Sequence, residues 1–78
     1  MSRTNEYYEI KHGYSTLVER NGTHNYKTPE EAVARAKAFK ENPKMDNPTM
    51  SDENAEYWKK ETYTIEQHIH TVNVLETI

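Results

Sequence analysis

The 78 residues contain no cysteine, two glycines and no apolar run approaching the roughly 18 residues of a membrane span. The missing cysteine excludes both a disulfide framework and a thiol nucleophile, so packing alone must hold the fold. Large aliphatic side chains are also scarce. Branched aliphatics and Phe39 together make up about a seventh of the chain, below the roughly 20% at which disorder becomes a concern. Charges of the two signs nearly balance, 10 Lys and Arg against 13 Asp and Glu, with a net −3 and an isoelectric point near 5.8. That is too little for the self-repulsion that keeps disordered chains open. The opening "MSRTNEYYEI" has no apolar stretch of the signal-peptide kind, so a soluble, cytoplasmic protein with no membrane association is expected. Asn21-Gly22-Thr23, formally a glycosylation sequon, then reads as a turn.

What is present is aromatic: six tyrosines and one tryptophan, each able to bury roughly 150–250 Å². They favour one small folded domain over residues 1–78, with a core thin enough for association with another subunit to be expected.

From Glu6 to Arg20 the apolar residues fall largely on even positions (Tyr8, Ile10, Tyr14, Val18), against Glu9, Lys11 and Glu19. This predicts a strand interrupted by a bulge or bend at Gly13, with Leu17 an exception. Asn21-Gly22 is suited to a type I′ hairpin turn returning the chain as a second strand over residues 23–27. Thr28-Pro29-Glu30-Glu31 is a helix start, with Thr28 as N-cap, Pro29 at the first helical position and Glu31 completing a capping box. The helix "PEEAVARAKAFKEN" places Ala32, Val33, Ala36 and Phe39 on one face and ends at Asn42-Pro43. Residues 42–56, with two prolines and no aliphatic period, predict a long mobile loop, in which Ser51 could cap a single helical turn towards Tyr57. A further strand is expected from Tyr57 onward, with Tyr63, Ile65 and Ile69 on one face. A parity shift near Thr71 separates Val72, Val74 and Ile78, so residues 71–77 are either a fourth strand or the bent end of the third; a helix through Ile65, Ile69, Val72 and Leu75 also fits the spacing, but the Thr- and Val-rich composition favours strand. The fold class is α+β: an antiparallel sheet of three to four strands in ββαβ or ββαββ order, packed against one α-helix.

The segment "VERNGTHNYKTPEEAVARAKAF", within residues 14–41, resembles the small strand-strand-helix-strand domains of unknown function that recur in bacteria and bacteriophages. The resemblance implies an antiparallel sheet covered by one helix and transfers no catalytic residue.

Chemistry-bearing residues are sparse. His68 and His70, two apart on a strand beside Glu66, permit an imidazole–carboxylate metal surface, but a third well-placed ligand is not identifiable, and a solvated polar face is the preferred reading; no metal or cofactor is expected. No Gly-rich phosphate loop or nucleophile elbow occurs, so no enzyme activity is expected. Lys37, Lys40, Lys44, Lys59 and Lys60 near Tyr57 and Trp58 suggest a small nucleic-acid-binding regulator, which the acidic whole disfavours. The favoured function is a non-enzymatic protein-binding module, an accessory protein of a phage or mobile element that inhibits or modulates a bacterial host or defence protein. Met45, Asp46, Met50, Asp52, Glu53, Tyr57 and Trp58 are the candidate binding residues. Residues 63–78 hold six of the ten branched aliphatics, more than one helix can cover, so a homodimer through Val72, Val74 and Ile78 is expected.

Overall fold

The computed structural model describes residues 6–78. Four strands, β1 (Tyr7–His12), β2 (Ser15–Thr16), β3 (Thr64–His68) and β4 (Val72–Thr77), form one antiparallel sheet in the order β2-β1-β3-β4. Two helices, α1 (Pro29–Glu41) and α2 (Asp52–Lys60), lie between the halves of the sheet in sequence. The α+β class with a four-stranded antiparallel sheet is therefore as expected, with one helix more.

The first hairpin turns at Gly13-Tyr14, between the paired residues His12 and Ser15. Gly13 takes φ +62° and no non-glycine residue among those described has positive φ, the pattern of a type II′ turn with glycine at its first central position. The expected reversal at Asn21-Gly22 is present as a second, local turn. Glu19 and Thr23 close a three-residue loop, with the Glu19 amide donating to the Thr23 carbonyl at 2.7 Å and the Gly22 amide to the Glu19 carbonyl at 2.8 Å. It is not a type I′ turn, since only Gly22 has positive φ. The expected strand over residues 23–27 shrinks to one bridge, in which Tyr26 and Tyr8 exchange backbone bonds of 2.8 and 2.9 Å.

α1 begins where its cap predicts: the Glu31 amide donates to Thr28 Oγ1 at 3.2 Å, and Pro29 occupies the first turn. Ala32, Ala36 and Phe39 are buried and Val33 packs against them. The two alanines carry no bulk beyond Cβ, which lets the helix lie close over Tyr8, Ile10 and Ile65 of the sheet. Tyr63, Ile10 and Ile65 are fully buried, each contributing about 1.5–3 kcal/mol of transfer free energy. Phe39 meets the Tyr63 ring edge-on at 5.7 Å and 89°, a favoured aromatic geometry.

Residues 42–56 are not one irregular loop. Pro43–Met45 form a 3-10 turn in which Pro43 is buried. Ser51 accepts from the Asn54 amide at 3.2 Å and starts a helix of nine residues rather than one turn. That helix takes in Tyr57–Lys60, expected as strand, so the third strand begins only at Thr64. The chain then turns through residues 69–71 into a separate fourth strand, which excludes a helix over residues 65–75. The parity shift anticipated near Thr71 has two sources: this turn, and a bulge that places Val74 opposite Glu66 and Glu76 opposite Ile65, leaving Leu75 as the extra residue.

Candidate functional site

β4 is an edge strand. It pairs with β3 on one side, and all six of its residues are exposed, among them Val72, Val74 and Leu75. Natural edges are usually blunted by proline, lysine or a covering element; β4 has neither residue type and carries only its bulge and Glu76. Ile78, expected to share this surplus surface, does not. Its backbone exchanges bonds of 2.6 and 2.7 Å with Tyr63, and its side chain packs against the core. The apolar surface on the edge is thus Val72, Val74 and Leu75.

Beside the edge, between α1 and β4, runs a groove of about 450 Å³ lined by Pro29, Val33, Ala34 and Leu75, with Glu30, Lys37 and Glu76 at its margins. Val33 packs against the core from α1, Leu75 faces the groove by ordinary alternation from Val74, and the bulge brings Glu76, opposite Ile65, to the same side.

Of the seven candidate binding residues, five make side-chain contacts within the molecule. Met45 and Asp46 are held by Arg35: Nη1 donates to Met45 Sδ at 3.0 Å and Nη2 to Asp46. Arg35 Nε faces Glu19 Oε2 at 3.3 Å but lacks hydrogen-bond geometry to it. Burial alone would lower the pKa of Arg35, but Asp46 and Glu19 raise it on balance. The guanidinium therefore staples the turn at Glu19 to the end of the 3-10 turn, and Asp46 serves structure. Asp52 pairs with Lys44, which holds its carboxyl below the usual range; Glu53 is exposed and Met50 half-buried.

Tyr57 and Trp58 belong to an aromatic cluster around His12. Trp58 packs 4.7 Å from the His12 ring and 6.0 Å from Phe39, and Tyr57 meets it edge-on at 5.2 Å. His12 Nε2 lies 2.7 Å from Glu61 Oε1, a contact that lowers the Glu61 pKa, while the charge on Glu61 raises that of Tyr57. Trp58 is largely a core contact; Tyr57 is half exposed. Three of the five lysines of the basic patch are engaged: Lys40 donates to the Glu61 carbonyl and sits 5.6 Å over the Tyr63 ring, Lys44 pairs with Asp52 and Lys59 is 3.4 Å from Glu56, while Lys37 and Lys60 are exposed.

On the face of the sheet away from α1, the histidine pair anticipated at residues 68 and 70 is separated. His70 is exposed in the turn, whereas His68 lies 3.2 Å from Glu66 and 3.0 Å from Glu9. Glu9 was not identifiable as a neighbour, because it comes from β1 and faces Glu66 only through the β1–β3 register. No helix among the described residues is long and apolar enough to cross a membrane. Comparison of the chain with protein families, with curated proteins and with solved structures finds no match.

Proposed function

We propose that this chain is a non-enzymatic protein-binding module that takes a partner by strand addition along β4. The bare β4 edge carries this reading. An extended segment laid beside it would complete the outward backbone bonds, and alternate side chains would face the groove between α1 and β4. Backbone pairing supplies affinity in such a mode, and the groove supplies selection for apolar side chains. The simplest occupant is the β4 edge of a second copy, giving a two-fold dimer with one continuous sheet. A module of this kind suits an accessory protein of a phage or mobile element acting on a bacterial host or defence protein.

Val74 is exposed and pairs with Glu66 on the face away from the helix, so Val74→Lys should spare the fold while opposing edge pairing. Sedimentation equilibrium of the unmodified chain should show a dimer forming at micromolar concentrations, with Val74→Lys a folded monomer by circular dichroism. A folded monomer for the unmodified chain, with β4 amides that exchange as freely at high concentration as at low, removes the dimer. Failure of any added extended peptide to shift the β4 amides as well would remove strand addition altogether.

A further inference from the structure

We propose that Glu9, Glu66 and His68 form a divalent-metal site on the open face of the sheet, with zinc the ion that suits their donors. The site arises from strand register. Glu9 and Glu66 are directly opposed on β1 and β3, and His68 lies two residues beyond Glu66, so all three project from the same face.

Spacing is the first argument. His68 Nε2 lies 3.0 Å from Glu9 Oε1 and 3.2 Å from Glu66 Oε1, and one ligand atom from each residue falls within 4.8 Å of the other two. A zinc ion bound by nitrogen at about 2.0–2.1 Å and by carboxylate oxygen at about 2.0–2.2 Å in tetrahedral geometry holds its ligand atoms about 3.3 Å apart. The two histidine distances already match this to within a few tenths of an ångström.

Charge is the second. Carboxylates placed opposite each other on neighbouring strands repel, and these two are only 13% and 19% exposed. Among the described residues no lysine or arginine forms an ion pair with either, Lys11 on the same face of β1 included. His68 when protonated offsets one of the two charges; a divalent cation offsets both.

The third is preorganisation. The Tyr7 ring stacks on the imidazole at 4.8 Å and 7°, which fixes the ring plane with Nε2 towards the carboxylates. Val72 and Val74, paired with His68 and Glu66 on the next strand, flank the cluster with apolar surface. Three protein ligands leave a fourth position on the open side for water or for a donor from a bound partner.

The competing account is that a proton on His68 bridges the carboxylates and no metal binds. Titration of the full chain with zinc chloride at pH 7.5, followed by calorimetry and by amide chemical shifts, separates the two. Binding of one zinc per chain is expected, with shifts concentrated in residues 7–10 and 65–69. Affinity should fall at least tenfold in Glu9→Gln, Glu66→Gln and His68→Gln and stay unchanged in His70→Gln and His12→Gln. Both glutamine replacements at the carboxylates remove repulsion, so these variants are expected to fold, and circular dichroism verifies it. A dissociation constant weaker than about 1 mM, or tighter binding that survives Glu9→Gln and Glu66→Gln, overturns the proposal.

Discussion

Replacing Tyr63 with phenylalanine isolates a single buried hydroxyl. Tyr63 is fully buried, and its hydroxyl donates to the Trp58 carbonyl at 2.6 Å, tying the last turn of α2 to the start of β3. At neutral pH the loss of this bond should cost about 1–2 kcal/mol, since the carbonyl is left poorly satisfied. Burial, followed by the charge on Glu61, pushes the Tyr63 pKa from 10.0 up to about 12. The fold thus favours the neutral phenol. Its stabilisation is complete below pH 10, where the unfolded tyrosine also keeps its proton, and is withdrawn as pH climbs towards about 12. At about 1.4 kcal/mol per pH unit, roughly 1.9 kcal/mol at most is lost by pH 11.5. Phenylalanine has nothing to ionise. Urea denaturation followed by far-ultraviolet circular dichroism should therefore show Tyr63→Phe less stable at pH 7, with the gap closing or reversing by pH 11.5. Tyr26, whose pKa is also raised by burial and by Glu19, contributes equally to both proteins and drops out of the difference. A gap at pH 11.5 equal to that at pH 7 would refute the assigned burial of the hydroxyl.

Arg35→Ala should destabilise by about 2 kcal/mol, because Glu19 and Asp46 lose their shared cation in a largely buried setting; Arg35→Lys should recover only part of it, as one ammonium cannot span both carboxylates and Met45. Both are measurable by urea midpoint. Gly13→Ala should cost about 1–2 kcal/mol from its left-handed backbone alone, since an added Cβ meets nothing within 4 Å; an unchanged midpoint would mean that the first hairpin does not turn there. Ser51→Ala should lower stability by about 1 kcal/mol and raise amide exchange at Asn54 first, as the N-cap of α2 is lost.

The first helix was legible because its signals are local and agree: Thr28, Pro29 and Glu31 mark the start, and Ala32, Ala36 and Phe39 repeat at helical spacing. The second was not. It spans nine residues with Ala55 its one buried position, so apolar periodicity had almost nothing to register, and Pro43 and Pro48 looked like breakers although Pro43 heads the 3-10 turn. The first hairpin was hidden by parity. A two-residue turn places Ile10 opposite Leu17, so an odd-numbered residue continues the buried face of an even-numbered one. Leu17, which broke the alternation, packs on the core, while Tyr14 and Val18, which kept it, are exposed. The surplus of apolar surface near the end of the chain was visible from composition, but its division between the free edge and the packed Ile78 depended on the bulge at Leu75. Likewise Glu66 and His68 could be paired from spacing alone, whereas Glu9 required a register between segments far apart in sequence.

That register also governs the order of assembly. The two central strands, β1 and β3, come from opposite ends of the described chain, and everything between them must be looped out before they pair with each other. Closing a loop of about 50 residues spends entropy before pairing returns any of it, which slows folding relative to a hairpin meander of equal size. During synthesis the β1–β2 hairpin and α1 leave the ribosome with Tyr8 and Ile10 still lacking the strand that buries them. The β3–β4 hairpin can form from local contacts, and its docking onto β1 is the expected late step of folding.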